Sequence, residues 1–311
     1  MDRFKPYRYE KSDEAIVLVE MHPGKLFMYK WVDKPLICQQ VILKILRAID
    51  NNASDVKVSL DLGLTQENCK IVEDRVIIRD SCIELEKLEE LTGRSRDIYL
   101  VDKDELIPVS IAGDHFYKLV LVKWGHPPTL EIDGIHMHRV KDITPDIDTR
   151  MKLSLIGDFK CCKVLDTCTG LGYTAIESVR RGACQVITFE IDENVLKIAH
   201  LNPWSKWLED SRIKIFNEDV SKGVERYREY FDIVIHDPPR MSLAGELYSL
   251  RFYQELFRVL KRGGRLIHYV GQPGIHSGKK ILKGVMERMR MAGFDVKYDQ
   301  NSRCVFALRK G

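Results

Sequence analysis

The chain has 311 residues, 44% of them hydrophobic and 31% charged, with a formal net charge of +3 and eight cysteines. Such a length supports a sizeable core and suggests two domains, and no apolar run approaches the roughly 18 residues of a membrane span. The charged opening MDRFKPYRYEKSDE lacks a signal-peptide apolar core, and cysteines without a CxxC pair argue against a disulfide framework or a zinc site and for a reducing, cytoplasmic setting.

In chain order, AIVLVEM reads as an extended piece. PLICQQVILKILRAID then places apolar residues at 37, 41, 42, 45, 46 and 49, the spacing of one helical face. The short runs DVKVSLDLGL, CKIVEDRVIIRD, DIYLV, LIPVSI and FYKLVLVKW predict a small, mostly antiparallel region interrupted by a charged helix, CIELEKLEELTG. WGHPPTLEIDGIHMHR has the Pro-Gly punctuation of a linker or substrate-facing loop.

The rhythm then changes to strand and helix in alternation. CCKVLDTC precedes GYTAIESVRRG, CQVITFEID precedes ENVLKIAHLN, and RIKIFNEDV precedes a short helix. FDIVIHDPP precedes LYSLRFYQELFRVLKRGG, RLIHYVG precedes KKILKGVMERMRMAG, and FDVKYDQ and CVFALRK close the chain as a strand pair. This alternation predicts an α/β fold with a doubly wound parallel sheet ending in an antiparallel hairpin. The organisation expected is a β-rich α+β domain over residues 1–140 and an α/β domain over 141–311.

Charge is unevenly spread. Residues 1–150 carry 22 Lys/Arg against 27 Asp/Glu, residues 151–311 carry 27 against 19, and residues 240–311 carry 15 against 5. A basic field next to a candidate active site favours an anionic partner.

Three strand ends carry acids. KVLDTCTGLGYTA ends a buried strand in Asp166 and turns through Gly170 and Gly172 into a helix, whose free N–H groups suit a ligand. The next strand ends in Glu190, placed to hydrogen-bond ribose hydroxyls. The third ends in Asn217-Glu218-Asp219, where an acid can accept from an adenine amine. The fourth, FDIVIHDPPR, runs into two prolines that cannot continue a ladder.

This pattern resembles the class I S-adenosylmethionine-dependent methyltransferases over about half of the chain. The resemblance implies a Rossmann-like seven-stranded methyltransferase sheet and S-adenosylmethionine as cofactor. It implies a cofactor site of Asp166, Thr169, Gly170, Gly172, Tyr173, Glu190, Ile191 and Asp219. Cys168 departs from the glycine often found there.

HDPPR looks like the Asn/Asp/Ser-Pro-Pro-aromatic motif of amino-methyltransferases, implying Asp237, Pro238, Pro239 and Arg240 as catalytic residues, with Arg240 standing where the family has an aromatic. An exocyclic amine has its lone pair delocalised into the ring. A carboxylate and a carbonyl accepting its hydrogens draw the nitrogen toward tetrahedral geometry, and two prolines hold those acceptors in place. Tyr248, Phe252, Tyr253 or Tyr269 could stack on a base instead of Arg240, and His136, His138 and Arg139 could face the substrate.

The N-terminal region with LEIDGIHMHR, DTCTGLGYTA and HDPPR is similar to an archaeal group of predicted methyltransferases associated with N4,N4-dimethylation of cytidine in small-subunit ribosomal RNA. The expected partner is therefore RNA, gripped in part by the N-terminal domain. The alternative is an aminopropyltransferase-like or methyltransferase enzyme on a small-molecule or protein amine, for which Glu190-Ile191-Asp192 also fits. A nicotinamide dehydrogenase is disfavoured by the missing third glycine, and a non-catalytic RNA-binding protein by the intact acids.

Overall fold

The computed structural model describes residues 26–271 and 278–310. The extended piece AIVLVEM lies outside the described residues. The N-terminal part holds β1 (Leu26–Phe27), β2 (Leu36–Cys38), α1 (Gln39–Asp50), β3 (Asp55–Val58), β4 (Glu67–Val72), β5 (Arg75–Ile78), β6 (Ser81–Glu84) and α2 (Leu85–Glu89). It continues through β7 (Ile98–Asp102), β8 (Glu105–Pro108), β9 (Ser110–Ala112), β10 (Phe116–Val120), β11 (Thr129–Ile132) and β12 (Ile135–His136). The second part holds α3 (Pro145–Ser154), β13 (Lys163–Asp166), α4 (Tyr173–Arg180), β14 (Gln185–Phe189), α5 (Glu193–Leu201), β15 (Ile213–Phe216), α6 (Val220–Gly223) and β16 (Phe231–His236). It closes with α7 (Leu250–Val259), β17 (Leu260–Tyr269), α8 (Gly278–Met291), β18 (Phe294–Asp299) and β19 (Cys304–Arg309).

The large sheet runs β1-β15-β14-β13-β16-β17-β19-β18. Strands β13 to β17 are parallel and β19 is antiparallel to both neighbours. The seven expected strands are all present. An eighth, β1, pairs antiparallel with β15 at the edge, so a residue pair from the N-terminal part completes the catalytic sheet. The strand interiors Val164, Leu165, Ile233, Val234 and Ile235 are almost wholly buried, because helices cover both faces of a parallel sheet.

Antiparallel strands of the N-terminal part form three small sheets, β2-β7-β8, β3-β4-β5-β6 and β9 to β12. Their core is continuous with Leu171, Tyr173, Val195, Ile198 and Ala199, so this part packs on the β13–α4 turn and on α5.

Four segments differ from the sequence reading, the first being WGHPPTLEIDGIHMHR, expected as a linker or loop, which supplies the paired strands β11 and β12. Leu36–Cys38 is a strand paired with β7, and the helix begins only at Gln39. CIELE is half strand: Ser81 and Ile83 point inward with period two before the chain turns into the short α2. The expected helix through RVLKRGG stops at Val259, and LKRGG enters β17, with Gly263 at φ +73° and a register shift opposite Phe231 and Ile233.

Candidate active site at the strand ends

The carboxyl ends of β13 and β16 lie side by side at the centre of the sheet, where strand order reverses, the place at which open α/β sheets bind ligands. Thr167 donates its N–H to the Ile235 carbonyl, tying the two ends together.

At β13 the Asp166 carboxyl is fully buried. Its Oδ2 accepts from the hydroxyls of Thr174 (2.9 Å) and Thr188 (3.0 Å), and its Oδ1 is buried with no partner. Burial pushes the group up to about 8, against the pull of those two hydroxyls. Glu190 follows β14; it accepts from Gly170 N–H (2.9 Å) and Asp192 N–H (3.1 Å), and burial pushes it up to about 7. An orphaned acid oxygen and a second acid held by the first turn fit a polar ligand carrying an amine and hydroxyls.

Gly170 and Gly172 sit at φ +52° and +82°, values that suit glycine. Their surroundings give each a packing role besides. A Cβ on Gly172 would meet the Leu208 side chain at 2.5 Å, and one on Gly170 would meet Met137 Sδ at 2.9 Å. At Gly172 the missing side chain therefore serves helix packing, and at Gly170 the closest neighbour is the 133–139 hairpin.

At β16 the end is braced from behind. His236 donates from Nε2 to the Leu247 carbonyl (2.9 Å), so its Nδ1 accepts from the Thr167 hydroxyl (2.8 Å). His268 donates from Nδ1 to the His236 carbonyl (3.2 Å) and accepts at Nε2 from Tyr253 (3.2 Å). Burial keeps both rings neutral, His268 down to about 4 and His236 well below its usual value. Tyr248 donates to the Pro239 carbonyl (2.9 Å).

Asp237 follows. Its Oδ2 accepts from Lys152 Nζ at 2.7 Å, and its side chain is 23% exposed. Among the described residues no donor reaches its Oδ1 or the Pro238 carbonyl. Lys152 is 4% exposed and also meets Asp148 at 2.9 Å. Burial alone would lower its ammonium, but Asp237 and Asp148 outweigh burial and hold it above its ordinary value.

Sequence reasoning missed Lys152 and Asp148. An i,i+4 Asp–Lys pair on a helix reads as a solvated surface bridge, and nothing in PDIDTRMKLS marks this one as buried.

Other predicted residues are placed differently from the sequence reading. Phe252 is buried against the His236 ring (5.3 Å), and Tyr248 is buried with its hydroxyl spent on Pro239; neither offers a face to a base. Tyr253 is fully buried as well, and Tyr269 has the Lys152 ammonium 3.7 Å from its ring centre. Thr169 turns its hydroxyl inward to Thr188 (2.8 Å). Tyr173 donates to the Pro128 carbonyl (2.8 Å) and packs beneath His138, so its side chain joins the two parts of the chain.

His138 is bonded to Thr129 (2.9 Å), and burial with the nearby Lys152 holds its ring down to about 3. Arg139 reaches the Asn301 carbonyl (3.1 Å) and Asp148 (3.7 Å). Both residues border the Lys152 cluster, engaged in packing. Asp219 caps α6 through Ser221 N–H (2.8 Å), and Ile191 is 70% exposed. Pro238 is buried, while Pro239 and Arg240 are exposed.

The uncharacterized protein MJ1233 of Methanocaldococcus jannaschii is 45% identical over 266 residues, covering 83% of this chain and 91% of that protein. The chain belongs to the family of MJ1233. A Spermine/spermidine synthase domain model matches residues 166–301, which span the acidic strand ends and HDPPR. The ribosomal RNA large subunit methyltransferase I of Aeromonas hydrophila is 30% identical over 116 residues, covering 34% of this chain and 29% of that protein.

Among solved structures, a spermidine synthase in complex with the transition-state analogue AdoDATO superposes with a TM-score of 0.53 at 19% identity, over 64% of this chain and 72% of that one. The fold is thus the Rossmann-like α/β fold shared by methyltransferases and spermidine synthases, with an added β-rich N-terminal part. No helix among the described residues is long and apolar enough to cross a membrane.

Proposed function

We propose that the protein is an S-adenosylmethionine-dependent methyltransferase acting on an exocyclic amine of a base in RNA. The target it fits best is N4 of a cytidine in small-subunit ribosomal RNA, and the working site is the cytoplasm. The observation that carries this reading is the pair of free acceptors at β16. Asp237 Oδ1 and the Pro238 carbonyl are adjacent, unclaimed by any described donor, and held on a strand end braced by His236, His268 and Tyr248. Two fixed acceptors suit a nitrogen with two hydrogens, and preorganised acceptors cost no rearrangement during transfer.

Asp166, Gly170, Glu190 and Asp219 would hold the cofactor, which when bound supplies an electrophilic methyl group. Asp237 and Pro238 orient the acceptor nitrogen, which releases one proton for each methyl gained. A singly methylated amine keeps one hydrogen for Asp237, so a second transfer is compatible with the same geometry. The excess of basic residues in the last 72 positions, 15 cationic against 5 acidic, suits a phosphate backbone. The N-terminal part, with its excess of acids, is assigned to shaping the site more than to gripping phosphates.

The spermidine synthase match supports a second reading, aminopropyl transfer to a polyamine. It requires carboxylates free to meet a polycation. Here Asp237 is paired with Lys152, and Asp192 takes the Tyr117 hydroxyl (2.5 Å) and the Asn194 N–H (2.9 Å). Purified protein incubated with small-subunit RNA and methyl-labelled S-adenosylmethionine, then digested to nucleosides, should yield label in N4-methylated cytidine. Label confined to methyladenosine or methylguanosine rejects the cytidine assignment. Turnover found only with decarboxylated S-adenosylmethionine and a diamine overturns the methyltransferase reading.

A further inference from the structure

A buried ion cluster is weak evidence for stability, since apolar residues of similar volume often serve as well. The cluster on α3 therefore calls for another account. Asp148 and Lys152 lie one helical turn apart and face β16, with Lys152 Nζ 2.9 Å from Asp148 Oδ2 and 2.7 Å from Asp237 Oδ2. The ammonium also lies 3.7 Å from the Tyr269 ring centre, and Arg139 stands 3.7 Å from the far oxygen of Asp148.

We propose that Lys152 is a positioning residue: by holding Oδ2 of Asp237 it fixes the orientation of that carboxyl group, whose free Oδ1 takes an N–H of a neutral amine. The inference rests on the amine-methylation reading. Two cations, Lys152 and Arg139, balance two carboxylates, Asp148 and Asp237, so the acceptor side carries no net negative charge. Burial favours the neutral form of Asp166 beside it. An aromatic amine needs only an acceptor there, whereas a polyamine would need an unpaired counter-ion.

The other groups facing the pair leave Lys152 in charge of Asp237. Tyr269 from β17, Cys304 at the start of β19 and Tyr248 before α7 are all raised, chiefly by burial, and so uncharged near neutrality. The Cys168 thiol is raised well above its ordinary range, and His138 is held neutral. Among the described residues Lys152 is the one cation paired with Asp237.

The test is a carboxyl titration of Asp237 by carbon NMR on aspartate-labelled protein, with the resonance assigned by Asp237→Asn. Lys152→Met should move the Asp237 midpoint upward, the direction expected on losing a close opposite charge, and Lys152→Arg should restore most of it. The acid limb of the kcat profile should move upward with it while KM for RNA changes little. Identical midpoints in wild type and Lys152→Met overturn the proposal.

Lys152→Met leaves Asp148 buried without its partner. Should that variant not fold, Asp148→Asn/Lys152→Met removes both charges and must still shift the midpoint upward, by less than Lys152→Met because the repelling Asp148 carboxylate is lost as well. The titration needs no substrate, so its outcome is separate from that of the RNA assay. A wild type that transfers no methyl to RNA strikes the acceptor reading, while the titration still decides what Lys152 does to Asp237.

Discussion

Asp166 and Asp237 end neighbouring strands of one sheet, yet their surroundings prepare them for opposite work. Asp166 is buried among two threonine hydroxyls with no cation beside it, so burial favours its neutral form up to about 8. Asp237 stays partly exposed and faces a buried ammonium at 2.7 Å. The difference is set by the neighbour each strand end meets: α4 brings Thr174 to the first, and α3 brings Lys152 to the second. One carboxyl is primed for a ligand that supplies charge, and the other is already held in place by an ammonium.

Three experiments would break or sharpen this contrast. The largest effect is expected at Asp237. Asp237→Ala should lower turnover by on the order of 10²–10³, as for loss of one preorganised hydrogen-bonding group, with cofactor affinity nearly unchanged. Single-turnover methylation and calorimetry on the same variant separate the two, and near-normal turnover would remove Asp237 from the chemistry.

Glu190 belongs to the ligand side of the contrast, where it links the Gly170 turn to Asp192. Glu190→Ala should weaken S-adenosylmethionine binding by roughly 1–3 kcal/mol, the cost of a lost buried acceptor. Equal affinities by calorimetry would refute the assignment of this acid to the cofactor.

The third test reads Asp166 through stability. Its folded-state value lies above the unfolded 3.8, so the folded protein binds the proton more tightly. That contribution is complete below about pH 4 and is lost as pH rises toward about 8, with a slope of at most roughly 1.4 kcal/mol per pH unit. Asp166→Asn should remove this part of the decline. Urea unfolding of both proteins across pH 4 to 8 measures the difference, and parallel stability curves would show Asp166 to be ordinary.

Much of the scaffold was readable because the second half alternates buried runs with amphipathic helices, a periodicity that needs no knowledge of neighbours. FDIVI before two prolines could only be a strand that stops, and it is β16 followed by Asp237. Errors came where two periods compete over a few residues. LIC and CIELE sit next to helical spacing but pair as strands, because β7 and β5 offer ladders that a local pattern does not reveal. The aromatic residues near HDPPR were read as stacking candidates; Phe252 and Tyr253 lie on the inner face of α7, which burial claims first.

What the sequence by itself determined is the order of the strands, the acids that end three of them, and the prolines that stop the fourth. Each depends on residues close together along the chain, whose geometry is set by backbone sterics and by the alternation of apolar side chains. Only the tertiary structure decided which acid meets a buried cation. Lys152 lies 85 residues before Asp237 and reaches it because α3 packs over the end of β16. Whether a carboxylate keeps its proton depends on burial and on charges within a few ångströms, and those distances exist only after folding.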